Sequence, residues 1–307
     1  MIDIAIIGGG PAGLSAAIYA ARAGRKTHVY ERAWTGGLIF QASIMENYPG
    51  IKSIGGPDFS QILEEQAKEF GAVIVNTDVI RVELAANPKL LHLANGTVVE
   101  AGAVILALGA QPKLLGVPGE QEFSGRGVSY CATCDGRFFK EKKVAVIGSG
   151  DMALEEALFL SRMAAEVVAV FRSERLRATK ILQERVQESG NIMLRPNSMI
   201  TEIHGGSVVH SITLKDTQSE QTENLEVAGV FIYEGYKSNS ELVQGQINLD
   251  DNGQIITDAD TMETNLPGVY AAGDIRRKVL RQVVSANADG AVAAVMADRW
   301  LDFQVKL

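Results

Sequence analysis

Cysteine is nearly missing from this 307-residue sequence: there are two, Cys131 and Cys134, in a single Cys-x-x-Cys. A small scaffold held together by disulfides needs several pairs, so that class is excluded. A structural zinc needs four ligands, and the four histidines (His28, His92, His204 and His210) show no ligand spacing around the cysteines, so no metal is expected. Long apolar runs are missing too; the longest, 101–110, has about half the length of a membrane-spanning helix. Near the start, Asp3 stands where a secretory signal would carry a basic segment. The expectation is a cytoplasmic protein with no membrane partner. Basic residues are in deficit, 29 Lys and Arg against 37 Asp and Glu, and the net charge of −8 argues against a nucleic-acid partner. With 46% hydrophobic and 21% charged residues the composition is that of a folded globular chain, long enough for roughly two domains. Glycine alone is in excess, at 31 residues. Its placement points to function.

Ile2–Ile7 reads as a short buried parallel strand, β-branched and apolar. It runs into Gly8-Gly9-Gly10-Pro11-Ala12-Gly13, an Ala-rich helical segment to about Ala23, and a second strand over Thr27–Tyr30. In a G-x-G-x-x-G turn Gly8 permits the tight bend, Gly10 lets the backbone approach a pyrophosphate, and Gly13 lets helix pack on strand. The helix N-terminus, with Pro11 and Ala12 in its first turn, offers unpaired N–H groups and a positive dipole end to phosphate. Glu31 closes the second strand, where a carboxylate accepts from ribose hydroxyls. A lone glycine motif is a weak signal; strand, glycines, helix, strand and acid in order form a strong one.

The arrangement recurs. A strand over Lys142–Ile147 leads into Gly148-Ser149-Gly150-Asp151-Met152-Ala153, a helix over Asp151–Ala164 and a strand over Glu166–Phe171. One copy alone could be an α/β turn that binds no phosphate. Two copies in one chain make sense if two dinucleotides meet, and the reason for them to meet is electron transfer between flavin and nicotinamide. An apolar strand ending at Gly109 is broken by Gln111-Pro112, and a second, Val269–Ala272, ends in Gly273-Asp274. The expected fold class is therefore α/β, with two Rossmann-like dinucleotide-binding domains, the second inserted in the first. The first comprises 1–112 and 246–307, and the inserted one 113–245, which carries the Cys pair.

Three motifs carry a family resemblance: Gly8 to Gly13, Cys131-Ala132-Thr133-Cys134-Asp135-Gly136, and Tyr270-Ala271-Ala272-Gly273-Asp274 with Arg281-Gln282. The chain resembles the low-molecular-weight thioredoxin reductases over nearly its whole length. That resemblance implies FAD in the first domain, NADPH in the inserted one, a homodimer, and electrons passing from nicotinamide to flavin to the Cys pair to thioredoxin. It implies that Cys134 lies against the flavin, Cys131 attacks the thioredoxin disulfide, and Asp135 handles the proton. It places Gly36, Gly37, Leu38, Gln41 and Asn47 in a loop over the flavin, with Gly109 also near FAD. Asp274 would lie on the ribityl chain, Arg281 and Gln282 near the ring, and a helix over 285–299 would point its N-terminus at the flavin. Gly148, Gly150, Asp151, Ala153, Arg172 and Arg177 would hold the nicotinamide nucleotide. The family's two half-reactions alternate through a rotation of one domain on the other.

One motif departs from the pattern. The NADPH-using members carry His-Arg-Arg and a further Arg after the second strand of the inserted fold, whereas this chain reads Phe171-Arg172-Ser173-Glu174-Arg175-Leu176-Arg177. Losing one charge-assisted contact to the 2′-phosphate costs about 1.5–3 kcal/mol, or roughly ten- to hundredfold in affinity. NADPH stays the expected donor with NADH as the alternative, and a protein donor such as reduced ferredoxin is a third. Further readings are an oxygen-using dithiol oxidase and a flavin-binding redox sensor.

Overall fold

The computed structural model describes residues 1–305 apart from 43, 44, 46 and 131, and of Gln41, Thr133, Cys134, Tyr236 and Val305 the backbone alone. The apolar opening of the chain forms β1 (Ile2–Ile7), almost wholly buried. The glycine turn leads into α1 (Pro11–Arg22), where Pro11 sits in the first turn and its missing N–H costs nothing. Then come β2 (Thr27–Glu31), α2 (Gly56–Glu69), β3 (Val73–Asn76), β4 (Val79–Glu83), β5 (Lys89–Leu93), β6 (Val98–Leu106) and β7 (Ala110–Pro112). The next stretch holds β8 (Val128–Ser129), α3 (Ala132–Asp135), β9 (Lys143–Ile147), α4 (Asp151–Ser161), β10 (Glu166–Val170), α5 (Lys180–Glu188) and β11 (Ile192–Arg195). It continues with β12 (Ser198–Gly205), β13 (Val209–Asp216), β14 (Thr222–Glu226) and β15 (Gly229–Ile232). The chain closes with β16 (Tyr236–Ser238), β17 (Val269–Ala271) and α6 (Val283–Val305).

Two compact units result: Met1–Gln111 with the chain from Lys237 onward, and Pro112–Tyr236. The second crossing falls ahead of the position near 246 expected from sequence. Val243 and Ile247 are buried in the core of the first unit, and Gln246 there accepts the Leu84 N–H at 3.0 Å and donates to the Val82 carbonyl at 2.9 Å. The two crossing segments, β7 and β16, pair as a two-stranded ribbon.

In the first unit, the described strands form a sheet of order β3-β2-β1-β6-β5-β4, with β17 also on β6. The long β6 explains this: its first half pairs antiparallel with β5 and its second half parallel with β17. Ile4 of β1 sits opposite Thr27 on one side and Ala103 on the other. Side chains alternate across the sheet. Ile4 and Ile6 enter a core with α1 and α6, while Ala5 and Ile7 enter one with Val243, Ile255 and Ile275. In the second unit five parallel strands run β11-β10-β9-β15-β8. Val144, Val146 and Val167 pack under α4 and α5; Ala145, Ile147, Val168 and Val170 pack against Ile203, Ile212 and Leu214 of the antiparallel β12-β13-β14 sheet. Among the described residues no helix is long and apolar enough to cross a membrane.

Candidate active site

In the first unit the predicted residues converge at the carboxyl ends of β1, β2, β6 and β17. Gly8 adopts φ +106°, and a Cβ there would lie 2.2 Å from the Ala107 carbonyl oxygen. A Cβ on Gly13 would lie 1.9 Å from the Gly8 carbonyl oxygen. Neither position tolerates a side chain. Gly10 differs: its missing Cβ faces open space, so the backbone is bare on the side a pyrophosphate would approach. α1 begins there with no side-chain cap and no acid in its first turn, which leaves its first N–H groups for an anion. Glu31 accepts the Gly9 N–H at 2.8 Å and the Ala33 N–H at 3.0 Å. Gly36 donates its N–H to the Gly9 carbonyl at 2.7 Å, and a Cβ on Gly37 would lie 3.5 Å from the Gly10 α-carbon. The loop of Gly36, Gly37 and partly exposed Leu38 is thereby fixed beside the turn. The Gln41 side chain lies outside the described residues. Asn47 donates to Gln282 at 2.9 Å, which brings together two of the predicted residues far apart in sequence. Gly109 accepts the Asn239 N–H at 3.1 Å. Arg281 is exposed.

Asp274 carries the clearest sign of a ligand. Its Oδ1 is buried and has no hydrogen-bond partner, and a buried orphan acceptor is costly unless a donor arrives. Burial pushes its carboxyl above the ordinary range; Lys278 and Arg281 pull it down and Asp289 raises it. The turn that presents it is braced by Asp289, which sequence reading did not single out as a site residue. Asp289 Oδ2 accepts the Gly273 N–H at 3.0 Å, Arg276 Nε at 3.2 Å and Lys278 Nζ at 2.6 Å, all three side chains being buried. The bare glycine backbone, the uncapped helix start and the orphan carboxylate fit an FAD pyrophosphate and ribityl chain.

The second unit repeats the turn with different edges. Gly148 has φ +141°, and a Cβ there would meet the Tyr233 carbonyl oxygen at 2.5 Å and the Ala153 Cβ at 2.9 Å. Gly150 again faces open space, at the uncapped start of α4. Asp151 accepts the Thr179 N–H at 2.6 Å, tying the start of α5 to that of α4. Arg177 donates from Nε to Ser149 Oγ at 2.9 Å, and its backbone N–H donates to the Ser149 carbonyl at 2.8 Å. Its cation is therefore anchored beside the glycine turn. Arg172 is exposed with Nε 4.0 Å from Glu234. Phe171 is buried, and Ser173 turns its hydroxyl to the Arg175 carbonyl at 2.7 Å.

Cys131 lies outside the described residues, as does the Cys134 side chain; the Cys134 backbone falls in α3. A Cβ on Gly136 would lie 3.0 Å from Leu160, so that glycine lets the end of α3 rest on α4. Asp135 is half-buried at the last position of α3. The loop leading to α3 is fixed by Glu120, which is 1% exposed. It accepts the Leu115 and Gly116 N–H groups at 2.9 and 2.7 Å and the Tyr130 hydroxyl at 2.7 Å.

The pyridine nucleotide-disulphide oxidoreductase family model matches residues 2–290. The thioredoxin reductase of Peptoclostridium litorale is 47% identical, covering 98% of this chain and 97% of its own. The chain belongs to the thioredoxin reductase family. The thioredoxin reductase of Peptoclostridium acidaminophilum is 45% identical over the same shares. A solved structure of that family, from Lactococcus lactis, superposes with a TM-score of 0.94 at 38% identity and covers all of both chains.

Proposed function

We propose that this chain is a flavin-dependent thioredoxin-disulfide reductase that takes electrons from NADPH or NADH and delivers them, through Cys131 and Cys134, to thioredoxin. The observation that carries this reading is near-full-length identity to thioredoxin reductases, in a chain that keeps two bare glycine turns and one Cys-x-x-Cys. FAD, when bound, supplies the means to accept a hydride and pass on an electron pair. Gly8, Gly10, Gly13, Glu31, Gly36, Gly37, Asn47, Gly109, Gly273, Asp274 and Gln282 would hold it. Asp274 would accept from its hydroxyls, and the α1 N-terminus would face its phosphates.

The Cys pair carries the exchange. The Cys131 thiolate attacks one sulfur of the thioredoxin disulfide, forming a mixed disulfide and releasing one thioredoxin thiolate. The Cys134 thiolate then attacks Cys131, releasing the second thioredoxin thiolate and leaving Cys131 and Cys134 oxidised. Asp135 takes and returns the accompanying proton. The α3 backbone belongs to the second unit, so Cys134 and the flavin-holding glycines stand on different units. A rotation absorbed at β7 and β16 would let nicotinamide and Cys pair take turns. The dimer and the cytoplasmic setting come with the same reading.

At the nicotinamide turn, Arg177 is pre-anchored on Ser149 and supports a 2′-phosphate contact. Arg172, facing Glu234, supplies a weaker one, so we place NADPH first with NADH accepted. The test is an anaerobic stopped-flow mix of the flavoprotein with each nucleotide, following the flavin band. Bleaching by NADPH about tenfold faster than by NADH at equal low concentration supports this order. Equal or faster bleaching by NADH reverses it, and no bleaching by either moves the electron source to a protein donor.

A further inference from the structure

Tyr233 touches both sites of the second unit. It follows β15, its N–H donates to the Ile147 carbonyl at the end of β9 at 2.7 Å, and its own carbonyl closes on Gly148 of the nucleotide turn. Its hydroxyl points the other way, accepting the Ala132 N–H at 2.7 Å. Ala132 opens α3 and follows Cys131 in the chain. An oxygen that accepts from Ala132 must send its own proton elsewhere, and it donates to the Glu156 carboxylate. A chain of hydrogen bonds therefore runs from α4 through the end of β15 to the first amide of the Cys-x-x-Cys helix.

We propose that Tyr233 is a positioning residue for the start of α3, which follows Cys131 and contains Cys134, and that Glu156 controls it, holding the tyrosine hydroxyl in place when ionised and loosening it when protonated. This rests on the reading of Cys131 and Cys134 as the redox pair. Glu156 is suited to the role. Its Oε2 is buried with no hydrogen-bond partner, and burial, with Glu155 adding repulsion, pushes its carboxyl up to about 7. It therefore changes charge where disulfide exchange takes place. Among the described residues, the elements packed around it are mainly apolar. β9 and β10 present Val144, Val146 and Val167 to α4, and α5 presents Leu182 and Val186. Asp135 is the acid of neighbouring α3; Glu155 precedes Glu156 on α4 and is itself raised by burial and by Asp151.

The test uses the FAD-loaded enzyme with its Cys pair reduced by dithiothreitol under nitrogen. The rate of alkylation by iodoacetamide is followed between about pH 5.5 and 9, since only the thiolate reacts. The wild-type profile should show an inflection near 7 besides that of the thiol itself. Glu156→Gln keeps an acceptor for Tyr233 but cannot ionise, so that inflection should vanish with the rest of the curve intact. Tyr233→Phe should remove the same inflection and change the rate by about three- to tenfold. The double variant should match Tyr233→Phe alone. A wild-type profile without the inflection, its persistence in both variants, or additive effects in the double variant would overturn the proposal. Thioredoxin turnover plays no part in this readout, so failure here and failure of the reductase reading are told apart.

Discussion

Asp274 is the residue on which the flavin reading turns. Its carboxyl is raised in the folded chain, so the cofactor-free protein binds that proton more tightly than the unfolded chain does. As pH rises through that interval, folding therefore loses stability, the reverse of a salt-bridged aspartate. Asp274→Asn removes the loss. Thermal melts of the cofactor-free variant should lie above the parent at neutral pH and coincide with it in acid, while its Kd for FAD rises about tenfold. A variant that melts as the parent does at every pH would show that the carboxylate bears no such strain. Glu120 makes the opposite case: a buried carboxylate with three donors in place. Glu120→Leu strands those donors and, at about 1–3 kcal/mol for each group left buried and unpaired, should lower the stability of the second unit in denaturant unfolding.

The elements that sequence reading located best are those whose signal is local. The β-branched runs appear as β1, β9 and β10 within a residue or two, because a buried parallel strand has apolar residues on both faces. The segment expected as a helix over 285–299 extends as α6 from Val283 to Val305. What stayed hidden depends on distant partners. Nothing near Tyr233 or Glu156 in sequence announces that they meet, or that the hydroxyl reaches Ala132. The antiparallel β12-β13-β14 sheet has no glycine motif to mark it. Gly290 shows the same limit. Its neighbours in sequence do not reveal that a Cβ there would lie 2.0 Å from the Ala12 carbonyl oxygen, or that Ser15 nearby donates to the Asn287 carbonyl at 2.7 Å. α1 and α6 lie that close because position 290 is bare. Gly290→Val should push them apart, lowering stability by about 1–3 kcal/mol, and because α1 would face the FAD phosphates in the proposed site the purified variant should lose flavin absorbance. Full flavin occupancy in that variant would contradict the packing argument.

At the scale of the whole molecule, the chain crosses between the two units at β7 and β16, and in the proposed cycle the units work alternately. A bifunctional crosslink that fixes one unit to the other should preserve one half-reaction, either flavin bleaching by nicotinamide or thiol-to-flavin exchange, and abolish steady-state turnover. Unchanged turnover in the fixed protein would remove the rotation from the account. The central claim, that electrons reach thioredoxin through the Cys pair, is tested most directly by a single-turnover measurement. The wild-type enzyme and Cys134→Ser are each reduced anaerobically with NADPH, mixed with oxidised thioredoxin, and the thioredoxin thiols counted. The account predicts bleached flavin in both, about four new thioredoxin thiols per fully reduced wild-type subunit (two from the Cys pair and two from the flavin), and a trapped mixed disulfide through Cys131 in the variant. Free, fully reduced thioredoxin from Cys134→Ser at the wild-type rate would contradict it.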